Sequence, residues 1–405
     1  MRIGIIVDNE LNNDKRVLRE AAILKDAGHM IRFLCFGFKG EVIPSENEQE
    51  ITRISISRRT KDILFFFLNL IPAYEWMWSK AILRFIRTYD PETLHVHDLY
   101  MSRAAHKAIG RSGKNIKLIL DLHENYPYAV TTYNWTKGFL RSLLSRPHRW
   151  KSKEKEYLDY ADGIILLSAD FRDVLIEQYP NLSTERFTVL PNVPDLNQME
   201  SCQSAKPAIA FGDGITVVLY FGVVAERRGI FDVLDVFEVL ASMDHPSAFL
   251  VIGPVDRKDK KLFFGRIGSG PLKERVKYVP WISMGELQAY LDITDICIAP
   301  FHKNPQHESG VANKIYDYML GGKPVIASDC RPQKRLIEKY GCGIIYTDKE
   351  QMKEAIIRLS ADPGLRREMG ENGKRAIYSE YNIAVQGKVL ADLYSGLDTA
   401  GELKY

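Results

Sequence analysis

The chain opens on apolar runs that alternate with amphipathic segments. Residues 3–7 form a short apolar run of the kind that a buried strand shows. Residues 14–27 then place apolar side chains at spacings of three and four, which predicts a helix capped by Asn13 and ended by Gly28. The apolar run 31–36 follows as a second strand. Two buried strands joined by a helix predict a β-α-β unit with parallel strands.

The same alternation continues along the chain, with one interruption. Apolar runs predict strands at 94–96, 116–120, 163–167, 187–190, 216–221, 248–252, 276–279, 296–299 and 324–327. Helical spacing predicts helices at 101–108, 229–243, 284–291 and 312–320. The segment 196–213 lacks periodicity and is rich in turn-forming residues, so we predict a linker there. The predicted fold class is α/β, with two Rossmann-like doubly wound domains in tandem at 1–195 and 214–380.

Composition excludes several functions. The 405 residues are 45% hydrophobic, and Lys plus Arg number 55 against 52 Asp plus Glu, so charge does not predict nucleic-acid binding. The five cysteines lack the paired spacing of a zinc site and fit a reducing cytoplasm. The N-terminus lacks a signal-peptide pattern, and the uncharged run 63–74 is shorter than the roughly 20 residues of a membrane helix. We expect a cytoplasmic protein with no nucleic-acid partner.

Ligands of doubly wound sheets bind beyond the carboxyl ends of the strands, so we expect chemistry in the loops there. The loop 300–312 brings Ser309 and Gly310 to the start of a predicted helix, whose free N–H groups favour a phosphate. Asp317 lies farther along that helix, where a carboxylate could bind a ribose diol. An ordinary helix cap would show the same spacing, and that interpretation stays open.

A second loop, 222–229, also joins a predicted strand to a predicted helix. It carries Arg227 and Arg228, and guanidinium groups bind phosphate through paired N–H donors. The alternative interpretation is a basic turn in contact with solvent.

A third loop contains His123 and Glu124 directly after the strand at 116–120, and His97 and Asp98 end the neighbouring strand. Two polar clusters at two strand ends of one sheet indicate a site, with structural histidines as the alternative. The G-x-G-x-x-G fingerprint is missing after the first strand, and no Walker A loop occurs, which argues against a dehydrogenase and a P-loop kinase. The G-x-S-x-G elbow is missing too.

A further set of motifs extends over nearly the whole chain. They are DKRV at 14–17, AGH at 27–29, HVHD at 95–98, DLHE at 121–124, ADG at 161–163, LPNV at 190–193, the loop 220–229, the run 295–300, NKIYDYM at 313–319 and GKPVIAS at 322–328. In order and spacing these motifs resemble the retaining glycosyltransferases of the GT-B fold, close to family 4. The resemblance implies two domains that face a cleft, with a last helix at 381–405 crossing back to the first domain.

The resemblance also implies roles for residues of the second domain, which would bind a nucleotide-sugar donor. Arg228 and backbone N–H groups at 309–311 would contact the diphosphate, Asp317 the ribose, and the segment at Trp281 the base. The donor-binding residues implied in this way are Gly222, Arg227, Arg228, Trp281, Ile282, Ser309, Gly310, Val311, Lys314 and Asp317.

For the reaction itself, the resemblance implies that His123 contacts the donor sugar near the reacting carbon. Glu308 is the second catalytic candidate. The residues implied on the acceptor side are His97, Asp98, Glu124 and Tyr126.

The chain departs from the family pattern at three places. The first glutamate of the usual pair would fall at Ser309, and Glu308 lies one residue early. Val223 stands where a basic residue is common, so Arg228, with Arg227 or Lys314, has to neutralise more of the diphosphate. Residues 9–13 replace a pair of glycines.

These implications predict a glycosyltransferase that needs no metal and no cofactor. It would move a sugar from a nucleotide-sugar, a UDP-sugar, to a hydroxyl of a glycan or lipid-linked glycan in bacterial surface polysaccharide synthesis. Positive groups of the protein would stabilise the leaving diphosphate. Because no carboxylate stands out as a nucleophile, we expect same-face attack with retention. The alternatives are a nucleotide-sugar 2-epimerase of the same fold and a non-catalytic nucleotide-sugar-binding partner subunit.

The first predicted domain also combines apolar and basic residues in a way that suits an anionic membrane. The apolar run 63–68 leads into Ile71, Trp76, Trp78, Ile82, Leu83 and Phe85. Between 101 and 153 the only acids are Asp121 and Glu124, against Arg103, Lys107, Arg111, Lys114, Lys117, Lys137, Arg141, Arg146, Arg149, Lys151 and Lys153, interleaved with Trp135, Phe139 and Trp150. The hypothesis is peripheral attachment at the inner face of the plasma membrane, and the alternative is a core helix with a solvated charged face.

Overall fold

The computed structural model describes residues 1–12, 14–38, 48–133, 135–196, 207 and 209–402. Contacts divide the chain into two compact units, Met1–Pro191 with Gly387–Tyr405 and Asn192–Gln386. The chain passes between the units at 191 and 387, where the predicted domain boundaries were 195 and 381. More than half of the predicted linker 196–213 lies outside the described residues.

In the first unit, the described strands form one parallel sheet with the order β3-β2-β1-β4-β5-β6-β7. The strands are β1 (Arg2–Ile6), β2 (Met30–Phe38), β3 (Ile51–Ile56), β4 (Thr93–His97), β5 (Lys117–Asp121), β6 (Gly163–Leu166) and β7 (Phe187–Val189). Only β3 is missing from the prediction for this sheet. It is an edge strand whose residues are mostly half-buried, so it lacks the continuous apolar run of a central parallel strand.

Helices flank this sheet in the order that the alternating pattern requires. They are α1 (Lys15–Asp26), α2 (Arg58–Phe66), α3 (Ala73–Tyr89), α4 (Ser102–Ser112), α5 (Tyr126–Thr132), α6 (Phe139–Ser145), α7 (Arg149–Asp159) and α8 (Ala169–Gln178). The cap of α1 is Asp14, whose carboxylate accepts the Val17 N–H at 3.2 Å, so the assignment of the cap to Asn13 was wrong. Asn13 itself lies outside the described residues.

In the second unit, the described strands form a parallel sheet with the order β10-β9-β8-β11-β12-β13. The strands are β8 (Thr216–Phe221), β9 (Ser247–Ile252), β10 (Val276–Val279), β11 (Ile296–Ala299), β12 (Val325–Ser328) and β13 (Gly343–Tyr346). The prediction stopped before β13, a short edge strand that is half-buried over most of its length.

The remaining helices follow the same alternation. They are α9 (Ile230–Ser242), α10 (Lys260–Ile267), α11 (Leu287–Asp292), α12 (Asn313–Leu320), α13 (Arg331–Tyr340), α14 (Lys349–Ala361), α15 (Pro363–Ser379) and α16 (Ile383–Glu402). The predicted helix 284–291 begins as a tight 3₁₀ turn, Met284–Glu286, before α11. Helices α10, α13, α14 and α15 were not predicted.

Both strand orders place a reversal beside the first strand of the unit. In the first unit the order reverses between β1 and β4, and in the second between β8 and β11. Crevices outside the carboxyl ends of strands at such a switch point are where doubly wound sheets bind ligands. The residues that follow β4, β5, β8 and β11 are therefore the ones whose side chains matter most.

The apolar residues predicted to face a membrane are mostly core. Trp78, Ile82 and Phe85 of α3 and Trp150 of α7 are buried in the hydrophobic core of the first unit. For these residues the alternative interpretation, a core helix, is the correct one. Over the described part of the chain, no helix combines the length and the apolar character needed to cross a bilayer.

Candidate active site

The turn after β8 depends on a glycine that leaves room for two cations. Gly222 has φ of 130°, and its N–H donates to the Ile252 carbonyl at 2.8 Å. A Cβ at Gly222 would lie 3.0 Å from Lys314 Nζ and 3.8 Å from Arg228 Nη1. The absence of a side chain therefore lets two positively charged groups approach the backbone at this strand end.

Arg228 is held in this position by the glycine that follows it. Gly229 has φ of 74°, and a Cβ there would lie 1.6 Å from the Pro300 carbonyl oxygen, which no residue other than glycine could accommodate. This close approach fixes the turn that carries Arg228 against the end of β11. The Nε of Arg228 is buried and has no hydrogen-bond partner among the described residues, whereas Arg227 is exposed.

Lys314 is the second cation of the pair and lies in the first turn of α12. Its side chain is buried, and its Nζ lies 3.6 Å from the centroid of the Tyr220 ring and 5.1 Å from that of Phe301. Within the described ranges its Nζ has no hydrogen-bond acceptor. Burial, together with the nearby charge of Arg228, holds the pKa of Lys314 well below its usual range.

These two side chains form an incomplete electrostatic arrangement. The buried Arg228 Nε and Lys314 Nζ both lack acceptors in the part of the chain that the structure describes. Two buried donors beside a glycine turn, at a switch point of the sheet, are suited to an anion with several acceptor oxygens. Lys314 is therefore a candidate for the basic group that Val223 does not supply, and its contact with a diphosphate stays a prediction.

Some hydrogen-bond donors of the loop before α12 are bound to acceptors within the same loop. The Ser309 N–H and hydroxyl both reach the Gln306 carbonyl, at 3.3 Å and 2.7 Å, so this N–H is already engaged. Gly310 and Val311 follow it and are half-buried. Their N–H groups as diphosphate donors remain a prediction.

Glu308 is held by the start of α13. One carboxylate oxygen accepts the Arg331 N–H at 2.9 Å, and the other lies 3.5 Å from the Arg331 guanidinium. The carboxylate is thus oriented by a helix N-terminus, which stabilises its negative charge. The role of Glu308 beside the donor sugar stays a prediction. In that role the carboxylate would have to contact the sugar as well as Arg331.

The residues predicted to bind the nucleoside differ in exposure. Asp317 is half-buried in the second turn of α12. Trp281 is 69% exposed in the segment after β10, and its neighbour Ile282 is buried. An exposed indole is suited to stacking on a base, while Ile282 anchors the segment in the core of the second unit.

In the first unit, Asp121 is the centre of a buried charge network. Asp121, at the end of β5, is fully buried, and Arg16 of α1 binds both its oxygens at 3.0 Å and 3.1 Å. Burial opposes the charge of Asp121, but Arg16, together with His123 and His97, outweighs burial and holds the pKa of Asp121 well below its usual range. The Nε of Arg16 also lies 3.0 Å from Glu20, whose pKa burial raises to about 8.

His123 joins this network through a second histidine. Its Nε2 shares a hydrogen bond of 2.9 Å with Nδ1 of His97 and lies 3.5 Å from Asp121. Burial favours a neutral ring, but the Asp121 carboxylate outweighs it and raises the pKa of His123 to about 9. Burial lowers the pKa of His97, so His97 is the neutral partner. About a quarter of the His123 side chain stays exposed, which suits a charged donor to a sugar hydroxyl.

We expect the charge of His123 to make the stability of the protein depend on pH. Because its folded pKa of about 9 exceeds the usual 6.5, its contribution is complete below about 6.5 and is lost as the pH rises through 9. The difference in thermal midpoint between the wild type and His123→Gln should therefore shrink over this range. A His123→Gln difference that stays constant over this range would contradict the network.

Glu20, His95, His97 and Asp121 have side-chain ligand atoms that all lie within 4.8 Å of one another. This donor set resembles the ligands of a divalent metal. However, the Arg16 guanidinium lies 3.0 Å from a carboxylate oxygen of Glu20 and of Asp121, so a positive charge already stands beside both acids of the set.

The other predicted acceptor-side residues have local partners. Asp98 has φ of 71°, which is rare for a residue with a side chain, and it accepts a hydrogen bond from the Tyr100 hydroxyl at 3.1 Å. Glu124 accepts a hydrogen bond from the Tyr133 hydroxyl. Tyr126 is buried in the core between the rings of Tyr100 and Trp150, which gives it a packing role.

Sequence reasoning missed Arg16 and Glu20 as parts of this network, together with Tyr394. A signal was present, because Glu20 lies on the face of α1 that carries Val17 and Ala21, where an acid needs a buried partner. The hydroxyl of Tyr394, on α16, shares a hydrogen bond of 2.9 Å with Nδ1 of His95, and no local pattern could have shown a contact across 299 positions.

Comparisons with known proteins agree with this architecture. Residues 15–198 match the family model described as Glycosyltransferase Family 4, and residues 203–376 match that of the Glycosyl transferases group 1. The chain is 26% identical over 251 residues to an alpha-D-kanosaminyltransferase of Streptomyces kanamyceticus. That match covers 60% of this chain and 63% of the relative, so it spans less than two thirds of the relative's length.

Solved structures match over nearly the full length at low identity. A sucrose-phosphate synthase from Thermosynechococcus elongatus superposes with a TM-score of 0.71 at 17% identity, covering 99% of this chain and all of the other. A glycosyltransferase from Rickettsia africae superposes with a TM-score of 0.72 at 14% sequence identity, and 98% of each chain is covered. The Anabaena protein HepE, solved with UDP and glucose, superposes with a TM-score of 0.67 at 14% sequence identity, covering 98% of this chain and all of HepE.

Together the two family models cover most of the chain, and each model matches one Rossmann-like unit. Together with the match in fold, they show that this chain belongs to the group 1 glycosyltransferases of the GT-B fold.

Proposed function

We propose that the protein transfers a sugar from a UDP-sugar to a hydroxyl of a glycan or lipid-linked glycan. The observation that carries the proposal is a pair of buried donor atoms beside Gly222, Arg228 Nε and Lys314 Nζ, which lack acceptors among the described residues. A nucleoside diphosphate has the charge and the oxygens to satisfy both. Family membership supports transfer, and the UDP held by the Anabaena relative supports the nucleotide.

The proposed chemistry needs no metal, because negative charge that develops on the leaving diphosphate would be stabilised by Arg228 and Lys314. The bond between the anomeric carbon and the diphosphate oxygen breaks while the acceptor oxygen bonds to that carbon from the same face. The acceptor proton passes to an oxygen of the leaving phosphate, so charges and atoms balance. Protonated His123 would donate to a donor-sugar hydroxyl.

The first test is binding of UDP and UDP-sugars by calorimetry. Removing a charged donor from the diphosphate in Arg228→Met should weaken binding about 100-fold, in line with the loss of one well-placed donor. The same change at Arg257, an exposed arginine of the second unit, should leave binding unchanged. Wild-type protein that binds no nucleoside diphosphate, or an Arg228→Met variant that binds as tightly, would contradict the proposal.

Product analysis separates the proposal from its rivals. A transferase releases UDP only when an acceptor is consumed, and retention predicts that NMR finds the same anomeric configuration in donor and product. A 2-epimerase would convert the donor without an acceptor, and a binding subunit would do neither. A product of inverted anomeric configuration would refute same-face attack, but it would not contradict the proposed donor site.

We also propose that the protein acts in the cytoplasm, in bacterial surface polysaccharide synthesis, at the inner face of the plasma membrane. A lipid-linked acceptor would be presented there. The support comes from the segment 101–153, where eleven Lys or Arg face only two acids.

A further inference from the structure

Helix α6 exposes its apolar side chains to solvent. Phe139 is 83% exposed, Leu140 69%, Leu143 56% and Leu144 41%. These positions are spaced one, four and five residues apart, so they share one face of the helix. A helix of a soluble domain normally turns this face to the core, and α6 does the reverse.

The polar side of α6 is the side that is attached to the protein. Ser145 is buried, and its carbonyl accepts a hydrogen bond of 3.1 Å from the Asn69 amide. The same amide reaches the Arg146 carbonyl at 3.1 Å, where the helix ends with φ of 46°. The C-terminal end of α6 is therefore fixed to the protein, and the apolar face of the helix is turned to solvent.

The surroundings of this face are positively charged. The sequence contains no Asp or Glu between residues 125 and 153. Lys137 and Arg141 are exposed at the start and middle of the segment, and Arg149 is exposed just after it. We name Lys137, Phe139, Leu140, Arg141, Leu143 and Leu144 the α6 patch.

We propose that the α6 patch inserts into the interface of a membrane rich in anionic lipid. Apolar side chains among cations match such a surface, where the rings and alkyl groups enter the acyl boundary and the cations meet phosphate groups. A second copy of the chain is disfavoured, because a two-fold contact would bring two basic patches together without acids. The inference deepens the proposed function by naming the surface that contacts the membrane. Only the presence of a lipid-linked acceptor at that membrane rests on the proposed function.

The test is sedimentation of the full chain with vesicles of phosphatidylcholine and phosphatidylglycerol. We expect binding at low salt that weakens at high salt, and that is absent with phosphatidylcholine alone. Phe139→Ser combined with Leu143→Ser should lower the partition coefficient at least tenfold. Lys137→Gln combined with Arg141→Gln should lower it by roughly fivefold per residue on anionic vesicles and reduce the salt dependence.

A matched control exists on the second unit. Leu262 and Phe264 of α10 are 56% and 43% exposed, so Leu262→Ser with Phe264→Ser removes a similar apolar pair elsewhere. This control should bind vesicles as the wild type does. Thermal midpoints of all variants establish that they are folded.

The outcomes separate the inference from the proposed function. Wild-type protein that does not sediment with anionic vesicles, or α6 variants that sediment unchanged, would overturn the inference. Dimers in light scattering that the apolar α6 variant dissociates would assign the patch to a second copy and overturn it too. UDP binding is measured separately, so vesicle binding without UDP binding would uphold the membrane contact and contradict the proposed function.

Discussion

Replacing Lys314 by methionine should stabilise the second unit and at the same time weaken donor binding. A buried amino group without an acceptor costs about 1–3 kcal/mol, and methionine fills much of the same space without that cost. The unfolding free energy should therefore rise by about this amount. Loss of a charged donor should lower kcat/KM about 10²–10³-fold.

The protonation of Lys314 supplies an independent readout. Because burial lowers its pKa, the lysine is neutral over part of the alkaline range until an anion approaches. UDP binding should then take up a proton, which calorimetry detects in buffers of different ionisation enthalpy. The uptake should disappear in Lys314→Met and persist in Lys260→Met, where the lysine is exposed. A destabilised Lys314→Met variant would mean that the amino group is paired in the folded protein.

The second large effect is expected at Arg16. Arg16→Met would leave the Asp121 carboxylate fully buried without its bidentate partner, and breaking a buried pair in this way costs about 3–5 kcal/mol. The measurement is the unfolding free energy of the first unit in denaturant. The double variant with Asp121→Asn should recover part of the loss, because no unpaired charge remains.

The neighbouring Lys15 provides the control for this experiment. It is exposed on the same helix, so Lys15→Met should change the unfolding free energy by less than about 0.5 kcal/mol. An Arg16→Met variant that is as stable as the control would contradict the interpretation of Asp121 as an ionised, arginine-held carboxylate.

The buried strands and the residues that follow them were predictable from the sequence. A strand of a parallel sheet is covered on both faces, so its apolar run shows in any context. The runs at 216–221 and 296–299 coincide with β8 and β11. The half-buried edge strands β3 and β13 were missed because their surroundings do not require continuous apolar residues.

The strand-end residues were predictable as positions, but their partners were not. His123 and Arg228 were found because a loop after a strand is where ligands bind. That Arg16 balances Asp121, that Tyr126 packs in the core and that Glu308 caps α13 depends on contacts between distant parts of the chain.

The sequence alone determined two α/β units, the order of their strands along the chain and the polar residues at the strand ends, because these follow from local apolar periodicity. The tertiary structure decided which charges are paired and which apolar residues are covered. Local spacing tells which side chains share a face of a helix, but the neighbour of that face comes from elsewhere in the chain. For this reason α3 could be assigned to the core and α6 to the surface only after folding, although both carry apolar and basic residues.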